Sequence, residues 1–88
     1  MISDLGNVAA LVDSGGEITL GYLDAVGGCV ATASDEAQCL AMLVRRKGES
    51  LGALLKRLDA AIGEANENER FIDEVNASVA PALRKSKR

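Results

Sequence analysis

The clearest pattern of apolar and polar positions lies in the middle of the chain, over residues 38–62. A nearly uninterrupted apolar run at residues 38–44 is followed by basic residues 45–47, and leucines then recur three and four positions apart. Such a run is typical of a strand covered on both faces, and such a spacing is typical of a helix with one apolar face. The pattern predicts a strand that leads through a basic turn into one amphipathic helix.

The predicted helix spans residues 50–62 and begins at Ser50, whose hydroxyl can accept a hydrogen bond from the backbone of the first turn. Its apolar face consists of aliphatic side chains: Leu51, Leu54, Leu55, Leu58 and Ile62. Lys56, Arg57 and Asp59 are expected to face water, and Gly63 stands where helices often end. Because an isolated helix of this length is marginal in water, the apolar face must pack on the strands.

The first part of the chain is a series of short apolar stretches separated by turns. Residues 8–12 fit either a helical stripe or a short strand, and we predict a strand. Residues 13–16 end in two glycines and predict a turn. In residues 18–22 large apolar side chains then alternate with small ones, as in a half-buried strand. We expect these two strands to form a hairpin.

Further breaks frame the remaining elements. A turn at residues 24–28 precedes a strand of small residues at 29–33, and another turn follows at 34–37. Beyond the helix, residues 64–70 are polar throughout, and we expect a loop or a frayed helical turn that contributes no core. A short last strand is predicted at residues 71–75, where Phe71 and Val75 would close the edge of the core.

These segments predict an α+β domain with a small antiparallel sheet of three to four strands, one amphipathic helix on one face, and a short C-terminal strand. The long strand is apolar on both faces: Leu40, Met42 and Val44 on one, and Cys39, Ala41 and Leu43 on the other. One helix covers one face only. We therefore predict a homodimer whose interface contains either the second face of the sheet or the edge of the long strand.

Length and composition indicate one domain with a tail. The 88 residues suffice for one modest core, which we assign to residues 1–80. Residues 81–88 begin at Pro81 and are predicted to be a disordered basic tail. No apolar run approaches the roughly 20 residues that a membrane-spanning helix needs, and the N-terminus lacks the pattern of a secretory signal, so no membrane contact is expected.

The body of the chain is acidic. The net charge is −3, but residues 84–88 contain four of the ten basic residues, which leaves six basic and thirteen acidic residues in 1–83. A surface of this kind repels nucleic acid over most of its area and favours basic partners.

The chain has two cysteines and no histidine. A hairpin turning at residues 35–36 would place Cys29 opposite Met42 and Cys39 opposite Thr32, which keeps the thiols apart. We predict two buried, reduced thiols, as suits a cytoplasmic protein of bacterial type. Without histidine the usual proton shuttle and zinc ligand are missing, and the sequence indicates no catalytic residue, metal site or cofactor.

Arg45, Arg46 and Lys47 form the strongest candidate binding site, because they directly precede the predicted helix. The N–H groups of a helix start attract anions, so this site could bind nucleic acid or an acidic protein surface. The alternative, which we favour, is a solvated strand end whose charges are partly neutralised by Glu49. No aromatic residue is interleaved to stack on bases.

Asp73 and Glu74 are the other charged candidates. As neighbours on a predicted strand they point to opposite faces, so they do not converge on a catalytic site. We interpret them as solvated charges that are available to a basic partner.

These observations favour a small non-enzymatic interaction protein, a dimeric regulator or inhibitor of a larger protein partner. Its contact candidates are the basic residues 45–47, the face formed by Cys39, Ala41 and Leu43, and the acidic pair 73–74. The alternative is a nucleic-acid-associated regulator of the antitoxin type that uses residues 45–47. A small-ligand binder or an enzyme is the least favoured interpretation, since the predicted core contains few polar residues.

Overall fold

The computed structural model describes residues 5–79, and side chains within this range up to residue 76. The elements, in chain order, are α1 (Gly6–Asp13), β1 (Glu17–Leu23), β2 (Gly28–Ser34), β3 (Cys39–Val44), α2 (Leu51–Asn68), β4 (Ile72–Asp73) and α3 (Glu74–Val79). The sheet has the order β1-β2-β3-β4; β1, β2 and β3 are antiparallel, and β4 is parallel to β3. The predicted α+β class is confirmed, although the sheet is mixed. The predicted tail at 81–88 lies outside the described residues.

The first described element is a helix, so the strand predicted at residues 8–12 is wrong. The glycine-rich turn after it is present, but it ends a helix instead of closing a hairpin. Gly16 N donates to Leu11 O at 2.8 Å and Gly15 N donates to Val12 O at 3.1 Å, while Gly15 takes a φ of +98°. This pair of bonds is a Schellman motif, which uses a left-handed glycine to satisfy the last carbonyls of a helix. The first hairpin joins β1 to β2 instead.

The start of α1 is held by a side chain from α2. Val8 N donates to Asp59 Oδ1 at 2.8 Å, and Asn7 Nδ2 donates to Asp59 O at 3.1 Å. A carboxylate at a helix N-terminus satisfies an otherwise unpaired N–H and interacts favourably with the helix dipole. Asp59 was expected to face water, but it is half-buried between the two helices.

The register of the β2–β3 hairpin differs from the predicted one. Thr32 pairs with Met42 and Ser34 pairs with Cys39, because the Asp35 carboxylate closes the turn by accepting from Ala37 N at 2.7 Å and Gln38 N at 2.8 Å. An aspartate that accepts from the backbone two residues on forms an Asx-turn, which sets where the next strand begins.

Both cysteines are free thiols, but neither is buried. Cys29 pairs with Tyr22 on β1 and is half-buried, while Cys39 is exposed at the start of β3. The prediction of two buried thiols is therefore wrong. In the observed register Cys39 lies opposite Ser34, not opposite the predicted Thr32.

A bulge at Leu40 changes which side chains of β3 face the core. Ser34 pairs with Cys39 while Ala33 pairs with Ala41, so Leu40 is an extra residue on β3. Leu40 joins Ala41 in the core cluster. Because a bulge re-aims a side chain, the predicted strict alternation of two apolar faces fails at this residue.

The predicted cap and most of the apolar face of α2 are confirmed. Ser50 Oγ accepts from Ala53 N at 3.0 Å. Three side chains of the face are fully buried: Leu54, Leu58 and Ile62. Leu55 is half-buried, and Leu51 is 43% exposed at the first turn.

The helix α2 does not end at Gly63. It continues to Asn68, and the left-handed residue that follows is Glu69, with a φ of +54°. Gly63 is instead a packing position, since a Cβ there would lie 2.9 Å from Asn7 Nδ2 on α1. The extra turns bury Ala65, so the prediction that residues 64–70 contribute no core is wrong.

The C-terminal strand is shorter than predicted. Only Ile72 and Asp73 pair with β3, and α3 begins at the next residue. Phe71 is 48% exposed, so it does not close the core as expected, whereas Val75 is buried as predicted. Ile72 packs against the core in place of Phe71.

Candidate functional site

The most densely bonded polar group of the described chain is an arginine cluster, formed by Arg57, Glu49 and Glu74. Arg57 Nε donates to Glu49 Oε2 at 2.8 Å, and Arg57 Nη1 donates to Glu74 Oε2 at 3.1 Å. Arg57 Nη2 donates to the backbone O of Val44 at 2.9 Å. Arg57 was expected to face water, but its side chain is only 22% exposed. The arginine cluster therefore ties the end of β3 and the following loop to α2 and α3.

The charges in this cluster stabilise one another. The hydrogen bonds from Arg57, together with the backbone N–H of Arg46, lower the pKa of Glu49 from 4.5 to about 2. The hydrogen bond to Glu49 raises the pKa of Arg57 above its ordinary value. A catalytic acid or base needs a pKa near the working pH, so both shifts move these groups away from proton transfer at neutral pH. Fixed geometry and opposite charge make the cluster a structural junction.

The three basic candidates lie on the basic loop, residues 45–49, between β3 and α2. Arg45 Nε donates to Glu49 O at 2.7 Å, so its guanidinium folds back onto its own loop. Arg46 N donates to Glu49 Oε1 at 2.9 Å, and the Arg46 side chain stays 66% exposed, with Nη2 4.0 Å from Glu74 Oε2. Lys47 is exposed. Glu49 therefore occupies the position where an external anion would meet the loop backbone.

Asp73 and Glu74, which we interpreted as solvated charges, both accept hydrogen bonds from backbone N–H groups of the same chain. Asp73 Oδ1 accepts from Asn76 N at 2.9 Å, which caps the start of α3. Glu74 belongs to the arginine cluster, and its Oε1 also accepts from Val44 N at 2.9 Å. Both carboxylates stabilise the C-terminal segment on β3.

The structure separates the three apolar candidates on β3. Ala41 and Leu43 are buried in the core cluster that α2 covers, and only Cys39 is exposed. Burial removes Ala41 and Leu43 from the surface that a partner can reach. On the side of β3 away from β2, β4 pairs only with Ala41 and Met42, so strand pairing closes part of that edge.

The sequence did not indicate one exposed surface, which lies on the outer side of β1 and includes Leu20 and Tyr22. We name this surface the β1 edge. Both side chains share the core face of the sheet with Ile18, yet Leu20 is 43% exposed and Tyr22 is 71% exposed. The alternation of residues 18–22 predicted that these side chains share one face. It did not predict the order of the strands, which makes β1 an edge strand.

The other face of the sheet is only partly covered. It carries Thr19 and Thr32, whose hydroxyls are hydrogen-bonded to each other, and the half-buried Met42. Val30 and Val75 are buried but do not belong to the main core cluster, and α3 packs on β3. The predicted dimer contact through this face remains a prediction.

Comparison of the chain with protein-family models, with curated proteins and with solved structures gave no match. Among residues 5–79, no three cysteine or carboxylate side chains are grouped as metal ligands would be. No helix in the same range combines the length and the apolarity needed to cross a bilayer.

Proposed function

We propose that the protein is a non-enzymatic interaction module that acts as a homodimer and regulates or inhibits a larger protein partner. The observation that carries this proposal is the β1 edge, where Leu20 and Tyr22 remain exposed on one face of an edge strand. Grouped apolar side chains beside an unpaired strand edge are typical of a protein–protein contact.

Charge supports a basic surface on the partner. Acidic residues are exposed at most turns and on the end of α2: Asp13, Glu17, Asp24, Asp35, Glu36 and Glu67. The cation Arg57 is neutralised within the arginine cluster. Complementary charge would speed association with a basic surface and select against acidic competitors. We place the protein in the cytoplasm, where its two thiols stay reduced.

The mass in solution tests the dimer. Light scattering after size exclusion, repeated over a hundredfold range of concentration, should give about twice the chain mass at the upper end. A mass of one chain throughout would contradict the homodimer.

The acidic docking surface is tested separately by charge reversal. Asp24→Lys combined with Glu36→Lys should abolish capture of the partner from a lysate, because both residues lie in exposed turns. Asp73 and Glu74 are unsuitable for this test, since their reversal would disturb the fold. The matched control is Lys56→Glu, which adds charge of the native sign and should leave capture unchanged. Equal capture by all three proteins would contradict the acidic contact.

A second candidate is a nucleic-acid-associated regulator, favoured by the exposure of Arg46 and Lys47 on the basic loop. It predicts salt-sensitive gel retardation that is lost in the double variant Arg46→Ala, Lys47→Ala. Arg45 is left intact because its guanidinium bonds the loop backbone. Retardation that persists in the double variant would remove the basic loop as the binding site.

A further inference from the structure

The two edges of the sheet differ sharply in length. At one edge, β4 contributes only Ile72 and Asp73 before the chain turns into α3. At the other edge, all seven residues of β1 pair with β2, and no strand within residues 5–79 pairs with the outer side of β1. An edge strand of this length presents a row of backbone N–H and C=O groups that can pair with another chain.

The strand β1 lacks the features by which proteins usually prevent such pairing. Its sequence, EITLGYL, contains no lysine, arginine or proline, and its one charge is Glu17 at the start. Its register with β2 is regular from Glu17 to Leu23, without a bulge. Inward charges, prolines and bulges are the common protections of an edge. The β1 edge is therefore open to a further strand.

The cover over β1 is uneven along its length. Helix α1 packs on β1 and α2, with Leu11 against Gly16 just before the strand, and Ile18 is half-buried against the core. Farther along the same face, exposure rises to 43% at Leu20 and 71% at Tyr22. The first half of β1 is thus covered by α1, and the second half is not.

We propose that two copies pair antiparallel through β1, about a two-fold axis at Leu20, to form one continuous eight-stranded sheet. This rests on the proposed homodimer and specifies its contact. A two-fold axis perpendicular to the sheet places residues of the same face opposite each other. Centring the pair on Leu20 uses all seven residues of the strand, with Glu17 opposite the partner's Leu23.

Self-complementarity is the reason to choose a second copy over a foreign strand. In this register Tyr22 lies opposite the partner's Ile18. Ile18 belongs to the half of the strand that α1 covers. Each copy therefore brings its covered half to the uncovered half of the other. An aromatic residue opposite a β-branched residue is a favourable cross-strand pair. The charges of β1 and its following turn, Glu17 and Asp24, stay at the ends of the contact.

The test compares two leucines of equal exposure. Leu20→Lys places two lysines opposite each other at the axis, and it should raise the dimer dissociation constant by about tenfold or more in sedimentation equilibrium. Leu51→Lys is the matched control, since Leu51 is also 43% exposed but lies on α2, and it should leave the constant unchanged. Circular dichroism verifies that both variants are folded.

A cross-link provides a readout that does not depend on the stability of Leu20→Lys. In a chain with Cys29→Ala and Cys39→Ser, Leu20→Cys should form a disulfide-linked dimer under mild oxidation, because residue 20 faces its own copy across the axis. Leu51→Cys in the same background should remain a monomer on a non-reducing gel.

The outcomes separate this inference from the proposed function. A wild-type dimer that neither cross-links at position 20 nor weakens in Leu20→Lys would overturn the β1 contact and leave the homodimer standing. A wild-type monomer would overturn both. A monomer whose binding to a different protein is lost in Leu20→Lys but not in Leu51→Lys would show that the β1 edge accepts a foreign strand, which also overturns pairing with a second copy.

Discussion

The two sides of this domain are held together by different kinds of contact. On the side of β3, buried side chains of α2 pack on the sheet, and the arginine cluster joins a strand end, a loop and two helices. On the side of β1, one eight-residue helix provides the cover, and its first turn depends on a single carboxylate, Asp59. A surface whose groups are already paired is poorly suited to bind a partner. The lightly covered side is the better place to search for one.

The largest expected difference between the two sides is in core substitutions. Leu58→Ala removes a fully buried side chain beneath α2 and should lower the free energy of unfolding by about 2–5 kcal/mol. Leu51→Ala, at an exposed position of the same helix, is the control and should cost less than about 1 kcal/mol. Urea unfolding measures both. Equal losses would mean that the buried face of α2 is assigned wrongly.

Loss of the arginine should have the next largest effect. Arg57→Ala leaves Glu49 and Glu74 without their shared cation, and we expect the free energy of unfolding to fall by about 1–2 kcal/mol. The loss is limited because solvent screens the charges of a partly exposed group. Lys56→Ala changes an exposed neighbour and should stay within about 0.5 kcal/mol of wild type. If both variants unfold at the same urea concentration, the cluster does not contribute to stability.

A third substitution tests how α1 is attached to α2, and its expected effect on stability is smaller and more local. Asp59→Ala removes the carboxylate that accepts from Val8 N, and loss of a helix cap costs about 1 kcal/mol. Amide hydrogen exchange should speed up in α1 more than in β3, because only α1 loses a contact. Glu67→Ala, exposed near the end of α2, is the control. A uniform increase in exchange across the sheet would contradict a cap confined to α1.

The smallest expected effect is a change in the pH dependence of stability. The contacts with Arg57 and the N–H of Arg46 lower the pKa of Glu49 from 4.5 to about 2 in the folded chain. A lowered folded pKa means that this stabilisation is fully present above pH 4.5 and is lost as pH falls toward about 2. The stability gap between wild type and Glu49→Gln should therefore narrow over that interval. A constant gap down to pH 2 would contradict the assignment.

Candidate residues were predicted less well than elements. The sequence pointed to the basic residues 45–47 and to Glu49 as their neutralising partner, and the bond from Arg46 N to Glu49 agrees with that pairing. It did not reveal that Arg57, eight residues farther on, is the main partner of Glu49. Helical periodicity placed Arg57 on the solvent face, and only the loop and α3 folding against that face enclose it.

Local chemistry by itself determined the class of the fold, the strands of the two hairpin arms, the cap at Ser50 and most of the buried stripe of α2. These features follow from the spacing of side chains and from backbone bonds between neighbours. Tertiary structure alone decided that α1 is a helix, that α2 passes through Gly63, and that β1 is an open edge. Each of these depends on residues far apart in sequence: Asp59 reaches Val8, Asn7 packs on Gly63, and the order of the strands leaves β1 unpaired on its outer side within residues 5–79.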